Sequence, residues 1–130
     1  MPETGNDVLA TVEKFFTALQ NGDIATCEAL FTDDGVIWHN YDRIEQPKAE
    51  ALAAIGGLAA LRPTFEIVGR DVLPDGCVQR HVVQVSLPNG AAEIPAIQRI
   101  SCVDGRISRI EEYMDSAQMA AAMQALHAAP

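Results

Sequence analysis

At 130 residues the chain has the length of one ordinary domain, enough to bury roughly two-thirds of its unfolded surface without a disulfide or metal staple. Its 18 acidic against 9 basic side chains, a formal charge of -9, exclude a polyanion such as nucleic acid, whose binding relies on clustered Lys and Arg. No apolar run reaches the roughly 18 to 20 residues of a membrane span, and the opening Met1-Pro2-Glu3-Thr4 lacks the basic-then-apolar pattern of a signal peptide, so no membrane partner and a soluble, cytoplasmic protein are expected.

Over positions 6–20 the residues Val8, Leu9, Val12, Phe15, Phe16 and Leu19 recur at spacings of 3 and 4, which predicts an amphipathic helix capped by Asn6 or Asp7 and ended by Asn21-Gly22. A short second helix follows, capped by Asp23, with Ile24, Cys27, Leu30 and Phe31 as its buried face. Thr32-Asp33-Asp34-Gly35 then reads as a turn, and Val36-Ile37-Trp38-His39-Asn40 as a β-branched, aromatic strand. Pro47 is suited to the first turn of a third helix with Leu52, Ile55 and Leu58 or Ala59 on its apolar stripe. Gly56-Gly57 within it predicts close packing against a neighbour, or a bend.

Beyond Pro63 the period changes. Strands are predicted over 64–73, 77–87, 91–102 and 106–114, separated by Pro74-Asp75-Gly76, Pro88-Asn89-Gly90 and Asp104-Gly105. A last helix from about Asp115 carries Met119, Met123 and Leu126 along one side, as core filler, and frays towards Pro130. Hairpins of this kind make a largely antiparallel sheet, and the lack of βαβ alternation excludes a doubly wound fold. The helices must cover one face of a bent sheet. Cys27, Cys77 and Cys102, odd in number and without CxxC spacing, read as buried thiols, and nothing in the spacing of His, Cys and acidic residues suggests a metal.

The element order, together with Phe15-Phe16-Thr17-Ala18-Leu19-Gln20-Asn21-Gly22-Asp23, Leu30-Phe31-Thr32-Asp33-Asp34-Gly35-Val36 and the closing Asp104-Gly105-Arg106-Ile107 and Glu111-Glu112-Tyr113-Met114-Asp115, resembles the nuclear-transport-factor-2-like superfamily. Within it the similarity is to SnoaL-like, ketosteroid-isomerase-like and limonene-epoxide-hydrolase-like enzymes. The resemblance spans nearly the whole chain and implies one domain, residues 1–130. It implies an α+β, cone-shaped (cystatin-like) fold in which a curved, mainly antiparallel sheet wraps on the N-terminal helices around a pocket.

In the ketosteroid isomerases a catalytic aspartate occupies the place that His39 holds here, and a tyrosine of the first helix stands where this chain has Phe15 and Phe16. In the limonene epoxide hydrolases a Tyr-x-Asn, an Arg-x-Asp and a late Asp before Tyr carry the reaction. The matching words here are Trp38-His39-Asn40, Arg80-His81-Val82 and Glu112-Tyr113. Neither set is complete, and the resemblance implies His39, Asn40, Arg80 and Glu112 as catalytic residues and Trp38, Phe15, Phe16 and Tyr113 as substrate contacts; Arg99, flanked by Ile97 and Ile100, reads from its own neighbours as a further partner for a buried acid and a substrate contact.

Strand alternation makes the pocket strand a question of parity, because Trp38 and Asn40 share one face and His39 takes the other. Either the first two look inward to hold a water or carbonyl, or His39 does as a base, its ordinary pKa near 6.5 suiting proton transfer at neutral pH. His81 and His127 carry little weight. The reading is a small enzyme without cofactor or metal, acting on an apolar, oxygen-bearing small molecule by acid/base chemistry as isomerase, lyase or hydrolase. Its competitor is a non-catalytic ligand-binding or dimerisation module. Val83, Val85, Ile97 and Ile100, taken as exposed, suggest a homodimer formed through the sheet.

Overall fold

The computed structural model describes residues 4–88 and 90–127, without the side chains of residues 126 and 127. The positions read as Leu126, His127 and the fraying end therefore fall outside the described side chains. The chain runs α1 (Gly5–Gln20), α2 (Ile24–Ala29), β1 (Phe31–His39), β2 (Glu45–Pro47), α3 (Lys48–Ala60), β3 (Thr64–Leu73), β4 (Gly76–Leu87), β5 (Gly90–Val103), β6 (Arg106–Met114) and α4 (Ser116–His127). The strands form one six-stranded sheet in the order β2-β1-β6-β5-β4-β3. The three hairpin ladders from β3 to β6 are antiparallel as expected, whereas β1 runs parallel to β6 and β2 closes the edge antiparallel to β1.

Helix α1 buries Val8, Val12, Phe15, Phe16 and Leu19, so the periodicity was a faithful guide to its face. Its cap is Thr4 rather than Asn6 or Asp7. The Asp7 amide donates to Thr4 Oγ1 and the Thr4 amide to Asp7 Oδ2, both at 3.1 Å, a reciprocal capping box in which Asp7 is the partner. Asp23 does cap α2, accepting from the Thr26 amide at 3.1 Å.

Phe31 belongs to β1, not to α2, and the presumed turn 32–35 lies inside a strand whose register slips between Phe31 and Val36. An irregularity of this kind has the composition of a turn because it bends the chain while keeping one end paired. Gly35 is required there, since a Cβ would collide with the Phe31 ring.

Helix α3 runs unbroken through Gly56-Gly57, and a Cβ at either position would meet open space, so neither close packing nor a bend accounts for the pair. Its N-cap is Pro47, one position earlier than the first-turn role expected. The core lies between α1, α3 and the concave face of the sheet, where Ile37, Ile100, Ile107 and Ile110 meet Phe15, Phe16 and Ile55. Of the four sheet residues expected on the surface, only Ile97 is exposed; Val83, Val85 and Ile100 point into the concave face and are buried. The three cysteines are buried as expected, and burial pushes the Cys27 thiol up to about 11. No helix among the described residues is long and apolar enough to cross a membrane.

Candidate active site

Alternation along β1 resolves the parity of the pocket strand. Ile37 and His39 point into the cone, and Trp38 lies on the convex face with its ring 5.4 Å from that of Tyr113. Since β1 and β6 run parallel with His39 opposite Glu112, the two side chains are neighbours on the concave face, and His39 Nε2 lies 3.2 Å from Glu112 Oε1. Both are largely buried, with 14% and 11% of the side chain accessible.

The pairing of the strands extends this contact into a polar row. Glu112 stands opposite Gln98 on β5, Gln98 opposite Gln79 on β4, and Gln79 opposite Arg70 on β3. Gln98 Nε2 donates to Glu112 Oε2 at 2.6 Å, so both carboxylate oxygens are engaged. At the other end Arg70 Nε donates to Gln79 Oε1 at 2.7 Å, and the amide nitrogen of Gln79 then donates to His81 Nδ1 at 2.8 Å. That fixes the hydrogen of neutral His81 on Nε2. Burial holds the His81 pKa below its ordinary value, against an opposing pull from Glu112.

Two adjoining chambers open on this row. The inner one, of about 100 Å³, is walled by Phe15, Phe16, Ile55, Phe65 and Ile110 and reached by Gln98. The outer one, of about 490 Å³, is walled by Leu61, Val83, Val85, Met119 and Met123, among others. They share His39, Gln46, Ala54, Leu58 and Glu112, so the histidine–glutamate pair sits where one chamber passes into the other. In an apolar wall with so few polar groups, electrostatic contacts are stronger than in water. Tyr41 also lines the outer chamber, its ring 5.1 Å from His39, and burial raises its phenol pKa, with further contributions from Asp42 and Glu112.

Of the nine residues expected at the site, the structure brings His39, Glu112, Phe15 and Phe16 together around the cavity. The other five do not line either chamber. Asn40 continues the β1–β6 ladder with its side chain, its Nδ2 donating to the Met114 carbonyl at 3.2 Å and its Oδ1 accepting from the Met114 amide at 3.0 Å. Trp38 and Tyr113 pack on each other on the convex face. Arg80 is exposed there above Gly69, and Arg99 ties the β3–β4 turn down through Asp75 at 2.7 Å and through Ser101 at 3.0 Å. Each takes the face its parity dictates, because its neighbour in sequence holds the concave one.

Sequence reasoning missed Gln46, Gln79, Gln98 and the interior place of His81, and took the α4 methionines for filler although Met119 and Met123 wall the outer chamber. The signal existed in the alternation. On β5, Ile94, Ala96, Gln98 and Ile100 share one face, and on β4 Cys77, Gln79, His81 and Val83 do. An amide or imidazole in an otherwise apolar inward series marks a buried polar site.

A curved, open six-stranded sheet wrapped on helices, with a histidine–glutamate pair in its apolar interior, is the nuclear-transport-factor-2-like cone. Residues 12–110 match the family model of the SnoaL-like domain, and the chain belongs to that family. No curated protein gives a significant sequence match. Among solved structures, PrhC of Penicillium brasilianum superposes with a TM-score of 0.84 at 17% identity, covering 97% of this chain and 91% of that one. A limonene-epoxide-hydrolase-like epoxide hydrolase of M. tuberculosis gives 0.75 at 19% identity, over 95% and 94%. IdmH of Streptomyces antibioticus, a proposed polyketide cyclase, gives 0.78 at 18%, over 93% and 99%. At such identities the likeness is one of fold, and that fold includes epoxide-hydrolase-like and cyclase-like enzymes among its hosts.

Proposed function

We propose that the protein is an enzyme that acts on an apolar, oxygen-bearing small molecule by acid/base chemistry, with His39 as the proton-transfer group and Glu112 as its partner. The observation that carries this reading is the His39–Glu112 contact of 3.2 Å on the shared wall of the two chambers. With the carboxylate as acceptor, the hydrogen of the neutral imidazole lies on Nε2, which leaves Nδ1 as the basic nitrogen. Nδ1 has no hydrogen-bond partner among the described residues and almost no accessible surface, so it meets a substrate once the ring or its neighbours shift. When it takes a proton from a substrate or from a water, the imidazolium that forms is stabilised by Glu112, itself oriented by Gln98. The proton then returns to the leaving or rearranged atom from the same nitrogen.

The epoxide-hydrolase-like and cyclase-like neighbours support a reaction at an oxygen function in a hydrocarbon setting. A purely ligand-binding cone would be better served by an apolar lining with both ionisable groups outside it. The test is turnover of a substrate found by screening epoxides, enones and hydroxylated compounds. His39→Ala and Glu112→Gln are each expected to lower kcat by roughly 10²- to 10⁴-fold, the range of general acid/base catalysis. Undiminished turnover in both variants sinks the assignment.

A further inference from the structure

We infer that Tyr41 is a further ligand-contacting residue of this site, the hydroxyl that holds an acceptor oxygen, of a carbonyl or an epoxide, on an apolar ligand in the outer chamber beside His39. The inference rests on the acid/base reading of the site and deepens it by naming the group that binds the reacting oxygen. Place, chemistry and access each support it.

The place follows from β1. The alternation that turns Ile37 and His39 inward reaches Tyr41 two residues on, and Tyr41 lines the outer chamber with its ring 5.1 Å from the imidazole and the two planes 30° apart. Although Tyr41 lies beyond the end of the strand, its backbone is fastened on both sides. The Asn40 amide donates to the Glu112 carbonyl at 3.0 Å, and the Asn40 side chain is paired with Met114. The Arg43 amide donates to the His39 carbonyl at 2.9 Å, and the Ile44 amide to Asp42 Oδ1 at 3.0 Å. A turn held in this way sets Tyr41 against His39. Asn40 thereby serves the site by holding the turn, not the ligand.

Chemistry singles Tyr41 out among the lining residues. Five of those described carry a side-chain nitrogen or oxygen: His39, Tyr41, Gln46, Gln98 and Glu112. Glu112 accepts, Gln98 donates to it, and His39 Nε2 faces the same carboxylate. The donors left for a ligand are the Tyr41 hydroxyl and the Gln46 amide. Of the two the phenol is the more acidic, so its hydrogen bond strengthens more as a ligand oxygen gains negative charge. Burial raises its pKa, with Asp42 and Glu112 adding, so the phenol keeps its hydrogen at neutral pH.

Access completes the case. Tyr41 is 49% exposed, and its hydroxyl forms no hydrogen bond with another described residue, so a ligand oxygen meets it without displacing a protein contact. Burial as the largest cause of the raised pKa means that the phenol oxygen is also partly withdrawn from water, within range of the Glu112 charge. The chamber behind it, at about 490 Å³, lies in the ordinary range of small-molecule pockets and takes a fused bicyclic skeleton.

The experiment is equilibrium dialysis of the full chain at pH 7 with 2-acetylnaphthalene and with 2-isopropenylnaphthalene, in which a CH2 group stands where the ketone has its oxygen. The readout is the ratio of the two affinities, compared between the parent and its variants, because the different hydration of the probes then cancels. Tyr41→Phe keeps the ring and removes the hydroxyl. It is expected to lower the ketone-to-alkene ratio about fivefold, the worth of one net hydrogen bond, and to leave the alkene within about twofold. Gln46→Leu should leave the ratio within about twofold. With a carbonyl or epoxide substrate from the screen, Tyr41→Phe should lower kcat roughly 10²-fold, as for loss of one donor to an oxygen that gains charge.

An unchanged ratio in Tyr41→Phe overturns the inference, and so does a fall that appears in Gln46→Leu instead. A parent that takes up neither probe overturns it as well, since the chamber has room for both. These readings are of binding and stand apart from turnover. Loss of activity in His39→Ala with an unchanged ratio in Tyr41→Phe removes this inference and keeps the acid/base reading. A fivefold fall in Tyr41→Phe, in a protein whose His39→Ala variant keeps full activity, does the reverse.

Discussion

The two faces of β6 hold similar chemistry and put it to different ends. On the convex face Glu111 accepts from Arg109 at 3.0 Å, and Arg109 reaches Glu45 at 2.7 Å, all three side chains partly open to water. On the concave face Glu112, one residue further, is bound by Gln98 and His39 in an apolar wall. Outside, solvent and salt dilute the charges and the contacts fix an edge; inside, the same kind of carboxylate has few competitors and lies against an imidazole. Residue type alone does not assign the role. Parity and the partner across the strand do.

The sharpest way to break this contrast is the matched pair Glu112→Gln and Glu111→Gln. In a turnover assay the first should lose roughly 10²- to 10⁴-fold in kcat and the second should stay within about twofold of the parent, if general acid/base catalysis is confined to the concave face. Equal losses would mean that the two faces are not functionally distinct. A second contrast is mechanical. Phe15 is 2% exposed and packs on Phe16 and Phe31, whereas Tyr113 is 46% exposed. Urea unfolding should show Phe15→Ala costing about 3–5 kcal/mol and Tyr113→Ala less than about 1 kcal/mol. A large loss at Tyr113 would indicate that something covers the convex face.

The same contrast explains what could be read in advance. Helix α1, the hairpins from β3 to β6 and the deep place of Phe15 and Phe16 follow from local spacing, because 3.6- and 2-residue periods are properties of the backbone itself. The parity of β1 does not, since Trp38, His39 and Asn40 can all be rationalised in a pocket until the register with β6 is known. That register depends on the slip between Phe31 and Val36, a long-range matter hidden in residues of turn composition. Asn40 illustrates the difficulty. Its type and neighbourhood resemble a water-holding asparagine, yet its amide pairs with the Met114 backbone and extends the ladder. Arg80 and Arg99 were misplaced for the complementary reason, that on each strand the concave face belongs to a neighbour, His81 and Gln98, of which only Gln98 reaches a chamber.

A third prediction uses the interior histidine. His81 is 1% exposed between the rings of Phe16 and Phe65, and burial keeps its pKa below the ordinary value, with Glu112 raising and Arg70 lowering it in smaller measure. The unfolded chain takes up its proton near pH 6.5 while the folded one stays neutral, so the unfolded state binds more protons below that point. His81 therefore favours folding fully above about pH 6.5 and loses that advantage as the pH falls towards its depressed folded pKa. Urea midpoints between pH 7.5 and 5.5 should decline less in His81→Gln, which retains a partner for Gln79, than in the parent. Parallel curves would mean that the ring titrates normally in the folded protein.

The smallest effect is expected on the convex side, and its size is informative for that reason. Arg109 joins Glu45 of the edge strand β2 to Glu111 of β6, with β1 lying between them in the sheet. Residue Gln46, next to Glu45, lines both chambers, and the strand that carries both is paired to β1 over Glu45–Pro47. Exposed ion pairs contribute about 0.2–1 kcal/mol, and the Debye length of about 10 Å at 0.1 M salt shortens to about 3 Å at 1 M. Arg109→Gln should cost less than about 1 kcal/mol in urea unfolding at low salt, and most of that difference should vanish at 1 M sodium chloride. A loss of several kcal/mol that survives high salt would require the clamp to be shielded from water, and hence the convex edge to be covered in solution by another surface. A small, screened loss instead leaves the backbone pairing with β1, and not the ion pairs of Arg109, as what holds the edge strand β2.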